Sequence, residues 1–125
     1  MNPSSAASTY AQEAIETAPP IKIVRLLYQG AIRYIERAAR CKADDPSSDF
    51  LSWINRADDI VVELRCHLRE GHAPELVESL SQLYLFIEER LQRAANDRDP
   101  EPLQDATRVL KVLLEAWTAI ELEAQ

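Results

Sequence analysis

Residues 99–124 read DPEPLQDATRVLKVLLEAWTAIELEA, and within them Leu103, Ala106, Leu110, Leu113, Trp117, Ile120 and Ala124 follow one another at steps of three and four. That period places all seven on one side of a long helix. Asp99 is a natural N-cap, and Pro100 suits the first helical position because its missing N–H would be unpaired there.

The same reading extends backwards along the chain. A helix is expected from about Pro20 to about Ala43, with Val24, Leu27, Ala31, Tyr34, Ala38 and Cys41 as its stripe. Asp44-Asp45-Pro46-Ser47-Ser48 interrupts it. A second helix is expected from about Ser47 to about Glu70, carrying Phe50, Ile54, Ala57, Val61, Leu64 and Leu68, and ending at Gly71. Pro74 opens a third, with Val77, Leu80, Tyr84, Ile87, Leu91 and Ala94, which breaks at Asn96-Asp97-Arg98-Asp99-Pro100. Four helices of about 24 residues with short connections predict an all-α, antiparallel four-helix bundle over residues 17–125, each helix about 36 Å long. Residues 1–16 are expected to form a short mobile N-terminal tail or cap helix. Tyr10 and Ile15 are its large apolar groups.

Composition supports a packed helical domain: 46% of the 125 residues are hydrophobic and only two are Gly. The formal net charge of −7, with bases scattered among acids, argues against nucleic acid and anionic membranes as partners. No apolar run approaches the roughly 20 residues of a membrane span, and Met1–Thr9 lacks the basic and apolar regions of a signal peptide. A cytoplasmic location is therefore expected, with Cys41 and Cys66 reduced and about 25 Å apart on antiparallel helices.

Site chemistry is sparse. The only histidines are His67 and His72, and neither is preceded at three residues by Glu, so a di-metal carboxylate motif is excluded. Cys66-His67 is a single pair, and adjacent helical residues do not face each other. No Gly-rich phosphate loop exists. The expectation is no catalytic residue, no cofactor and no metal.

Apolar residues exceed what one seam can hold. A bundle core uses about three positions in seven, yet Trp53, Ile60 and Val62, then Leu76, Leu83, Leu85 and Phe86, then Val109, Val112 and Leu114 flank the stripes. The surplus is either a wide buried stripe with scattered exposed side chains or apolar grooves between helices that receive a partner helix.

Thr17-Ala18-Pro19-Pro20 followed by Leu26-Leu27-Tyr28-Gln29-Gly30-Ala31-Ile32 is similar to the signature of the FliS family of flagellin chaperones. Ile60-Val61-Val62-Glu63-Leu64, Leu80-Ser81-Gln82-Leu83-Tyr84, Arg90-Leu91, Asn96 and Ala116-Trp117 follow in the family's order, and Tyr10 stands where the family has an N-terminal Tyr. Two positions depart from the pattern: Pro19 replaces a Ser that would cap the helix, and Gln29 replaces an Asp. The resemblance spans about residues 10–120. It implies a cytoplasmic export chaperone that binds the disordered C-terminal segment of flagellin in apolar grooves, prevents premature polymerisation and presents the cargo to the flagellar export gate.

On that basis the expected partner-binding residues are Tyr10, Ile15, Leu27, Ala31, Ile60, Leu83, Val109, Val112 and Leu113. Tyr10 and Ile15 are expected to fold over a groove until cargo displaces them, with permanent packing of Tyr10 as the other reading. The alternative for the whole chain is a structural or homodimeric bundle whose surplus apolar surface meets a second copy.

Overall fold

In the computed structural model, which describes residues 3, 6, 21–68 and 74–123, the chain forms four helices and, among those residues, no strand. They are α1 (Ile21–Ala39), α2 (Phe50–Cys66), α3 (Pro74–Asp97) and α4 (Pro102–Glu123). Helix α1 packs against α2 and α4, and α3 packs against the same two, while the backbones of neither diagonal pair come close. Sequential neighbours joined by short loops run antiparallel, so the predicted four-helix bundle is the fold. Tyr10, Ile15 and Gly71 lie outside the described residues. Of the N-terminal segment, Ala6 is helical and fully buried against the core cluster.

The predicted stripes of α2, α3 and α4 form most of the core, but that of α1 is turned: Val24, Leu27, Tyr34 and Cys41 are only half-buried, and Tyr28 and Ile35 take their place beside Ala31 and Ala38. Tyr28, Ala31, Ile35 and Ala38 of α1, Phe50, Ile54, Ala57 and Val61 of α2, Leu80, Tyr84, Ile87, Leu91 and Ala94 of α3, and Leu103, Ala106, Leu110, Leu113 and Trp117 of α4 are all buried. Burial of each large side chain contributes about 1.5–3 kcal/mol, which holds the helices together far more firmly than helix propensity alone.

The helix ends differ from the predicted ones for local reasons. Helix α1 stops at Ala39, not near Ala43, because the chain tightens into i→i−3 bonds: Arg40 N–H donates to the Arg37 carbonyl (3.2 Å) and Cys41 N–H to that of Ala38 (3.0 Å). Helix α2 begins at Phe50, not Ser47, because polar side chains organise a turn instead. Asp45 accepts from the N–H (2.8 Å) and hydroxyl (2.7 Å) of Ser47, and the Ser48 hydroxyl donates to the Lys42 carbonyl (2.8 Å). Helix α2 ends at Cys66, where the His67 N–H reaches back to Glu63, rather than near Glu70.

Helix α3 runs through Asp97 and closes with Arg98 in the left-handed region at φ 49°, the Asp99 N–H bonding the Ala94 carbonyl at 3.1 Å. This is the six-to-one closure of a Schellman motif, made without glycine. The Arg98 guanidinium then donates to the Ala43 carbonyl (3.1 Å), tying the α3–α4 loop to the α1–α2 loop. Asp99 accepts from the Glu101 N–H (3.0 Å), so it caps a short turn, and it is Pro102, not Pro100, that takes the first position of α4.

Candidate docking groove

Three aromatic side chains from three helices meet at the bundle centre. The hydroxyls of Tyr28 (α1) and Tyr84 (α3) lie 2.6 Å apart in a buried hydrogen bond that bridges the diagonal. Trp117 of α4 sets its ring edgewise to Tyr28, centroids 6.2 Å apart. The two hydroxyls satisfy each other inside the core, as buried hydroxyls require. These rings close the half of the α1–α4 seam nearest the start of α1.

The other half is open. Between the C-terminal part of α1 and the N-terminal part of α4 lies a groove of about 800 Å³. Ile35 and Leu103 form its floor, Ala39, Thr107 and Val112 its walls, and Pro100 one end. On α4 the lining follows two rows of i, i+4 positions, 103-107-111 and 104-108-112, which face α1 together. The groove is open because the side chains opposite one another are small: Ala39 and Thr107 stand where the other half has Tyr28 and Trp117. Its rim is charged, with Glu36, Asp99, Glu101 and Glu115 against Arg108 and Lys111. Arg108 is held by Asp105 at 3.0 Å. An apolar floor inside a charged rim accepts the apolar side chains of an amphipathic segment while its polar face stays wet.

The expected binding residues separate on this frame. Val112 lines the groove. Leu27, Ile60, Leu83 and Val109 are half-buried and pack onto the core from outside. Ile60 fills the α1–α2 seam, its Cδ1 lying 3.3 Å from where a Cβ on Gly30 would stand. Ala31 and Leu113 have no exposed surface and are part of the core itself. Ile35, Ala39, Leu103 and Thr107 were not among the expected residues. The i, i+4 rows flanking the α4 stripe carried the signal, but only the position of α1 shows which flank is left open.

Elsewhere the seams are sealed by charge. Arg65 of α2 makes two hydrogen bonds to Glu88 of α3, 2.7 and 3.1 Å. Asp58 sits beside that pair with Oδ2 accepting from Gln92 at 3.3 Å and a buried Oδ1 without a partner. Burial, and then the neighbouring Glu88 and Asp59, push its carboxyl above the ordinary aspartate range. Glu89, Arg90 and Asp105 link α3 to α4. Cys41 and Cys66 are both free thiols. Among the described residues no three His, Cys, Asp or Glu side chains converge on a point where a metal could bind, and no helix is long and apolar enough to cross a membrane.

A four-helix bundle with an open apolar groove along one seam is the form of a helical binding protein. The chain belongs to the family described as "Flagellar protein FliS", which it matches over residues 2–124. It is similar to the "Flagellar secretion chaperone FliS" of Vibrio cholerae, 31% identical over 111 residues that cover 87% of this chain and 80% of the relative. Proteins of the same name from Campylobacter jejuni and Bacillus subtilis are 26% and 27% identical, over 90% and 88% of this chain and 88% and 81% of their own lengths.

Proposed function

We propose that this chain is a flagellar secretion chaperone that works without catalysis, binding the C-terminal segment of flagellin in the cytoplasm, blocking its premature polymerisation and delivering it to the export gate. The observation that carries the reading is the open α1–α4 groove, apolar on its floor, in a chain of this family. A flagellin end that assembles through amphipathic helices bears apolar stripes, and such a stripe fits the apolar groove surface made by Ile35, Ala39, Leu103 and Val112. Folding the disordered segment on binding consumes part of the interaction energy, which keeps the complex reversible. Leu27, Ile60, Leu83 and Val109 extend the apolar surface around the bundle, and cargo would reach Ala31 and Leu113 only where the helices part.

Titration of the full chain with a flagellin C-terminal peptide tests this. The expected result is a one-to-one complex that Val112→Asp weakens by about tenfold or more, since a desolvated unpaired carboxylate in an apolar contact is strongly unfavourable. The substitution should leave the melting temperature nearly unchanged, because Val112 is half-buried. Absence of any complex would end the reading, and a cargo-independent dimer in light scattering would favour the homodimeric bundle. The N-terminal segment has a role in the same scheme: Tyr10 and Ile15 lie over a groove in the free protein and cargo displaces them. The burial of Ala6 supports an N-terminal segment that reaches the bundle. Tyr10→Ala should then alter cargo affinity without a large loss of melting temperature.

A further inference from the structure

Most arginines of this bundle fall into two groups. Arg65, Arg90, Arg93 and Arg108 each engage a carboxylate. Arg33, Arg37 and Arg40 of α1 and its C-terminal turn, and Arg56 of α2, are exposed and, among the described residues, make no ion pair. Residues 22–42 hold six cations and one acid, a local charge of +5 in a chain whose net charge is −7.

Two of these arginines are held in place by a ring. The guanidinium carbons of Arg37 and Arg56 lie 4.8 and 4.9 Å from the centroid of Trp53. Tyr34 stacks on the same indole at 5.6 Å and 21°. Stacking engages the flat of a guanidinium and leaves its N–H edge free to bind a carboxylate in bidentate fashion. The side chains are thus ordered before any partner arrives, which lowers the entropic cost of binding. Trp, Tyr and Arg are the residue types that carry most binding energy at protein interfaces.

The apolar part of the same face is adjacent. Ile23 and Leu26, 52% and 50% exposed, share one side of α1 with Arg33, Arg37 and Arg40, at steps of three, seven, four and three. We propose that this α1–α2 face is a second docking surface, on the opposite flank of α1 from the groove, and that its occupant is an acidic amphipathic segment of a partner protein. Its carboxylates meet Arg33, Arg37, Arg40 and Arg56, and its apolar residues meet Leu26 and Ile23. From Arg33 to Arg40 is about 10 Å along the helix, two turns, which suits Asp or Glu at positions i, i+3 or i+4, and i+7 of a partner helix. A protein segment fits better than a polyanion, because the face is part apolar and the acidic remainder of the chain repels nucleic acid and anionic lipid at long range.

The probe is a fluorescein-labelled helical peptide of about 20 residues with Glu at that spacing and Leu beside it, titrated against the full chain by anisotropy. Wild type should bind it, more weakly at about 300 mM than at about 50 mM salt. The Glu→Gln peptide, and the variant Arg37→Glu/Arg56→Glu, should each lose about tenfold or more in affinity. Arg33→Gln/Arg40→Gln should lose less, and it carries the comparison if circular dichroism shows the charge-reversed variant unfolded. Both variants should still bind the flagellin peptide, which separates this surface from the groove. Equal binding of the Gln peptide, equal binding by the variants, or capture of phosphatidylglycerol vesicles or single-stranded DNA in place of the peptide would overturn the proposal.

Discussion

Helix α1 meets α2 along one flank and α4 along the other, and the two seams are built differently. On the α2 side Gly30 makes room for Ile60, and Tyr34 stacks on Trp53, so the seam is filled along its length. On the α4 side Tyr28 and Trp117 fill one half, and Ala39 and Thr107 leave the other half as a groove. The helices themselves are alike in period and apolar content. What separates a closed seam from an open one is the size of the residues facing each other at three or four positions, and a bundle can therefore acquire a binding groove without a change of fold.

Substitutions at five positions test that contrast. The largest effect is expected for Trp117→Ala, which removes the wedge of the closed half of the α1–α4 seam. A fully buried Trp replaced by Ala costs about 3–5 kcal/mol, read as a shift in the denaturant midpoint. A loss below about 1 kcal/mol would mean that this half is not held by the aromatic contact. Gly30→Leu is next. It forces α1 away from Ile60 and should cost about 1–3 kcal/mol. Gly30→Ala should stay within about 1 kcal/mol of wild type, since the atom it meets is the mobile end of Ile60 and alanine favours the helix.

The Tyr28–Tyr84 bond comes third. A double-mutant cycle with Phe at both positions should return a coupling of about 1 kcal/mol. A value near zero would show that the diagonal contact is packing alone. The smallest effect, and the only stabilising one, is expected at the α2–α3 seam, where Asp58→Asn should raise the melting temperature slightly at neutral pH. The sign follows from the raised carboxyl: a folded-state pKa above the unfolded value favours the protonated form, so Asp58 is tolerated at low pH and becomes destabilising as pH rises through its folded pKa. The advantage of Asn should accordingly shrink as pH falls from the raised folded pKa toward the ordinary aspartate value, and vanish below it. An advantage that persisted unchanged in acid would assign it to packing.

Most of this architecture could be read from residue spacing. The stripes through Phe50, Leu80 and Leu103 are the buried faces because a period of three and four leaves a helix only one way to hide its apolar side. Helix ends were less readable, since side-chain turns at Asp45 and Asp99 compete with helix initiation and the left-handed Arg98 carries no compositional signal. The groove was readable only at Val112. A surplus of apolar positions announces that some surface is exposed, but the expected binding residues joined Ala31, from a stripe, with Val112, from a flank, and only the placement of neighbouring helices makes one core and the other wall. The motif residues Tyr28, Tyr84 and Trp117 taught a related lesson: they sit in the centre, where they shape the bundle rather than line its groove.

The Tyr28–Tyr84 bond joins positions 56 residues apart in the chain. It closes only when α1 and α3 face each other across the bundle, although their backbones do not come close. A contact of such long sequence separation is expected to form late in assembly. A contact of that kind acts as a latch on the finished state: removing it should leave the folding rate almost unchanged and hasten unfolding, so the two phenols set how long the bundle persists more than how quickly it forms.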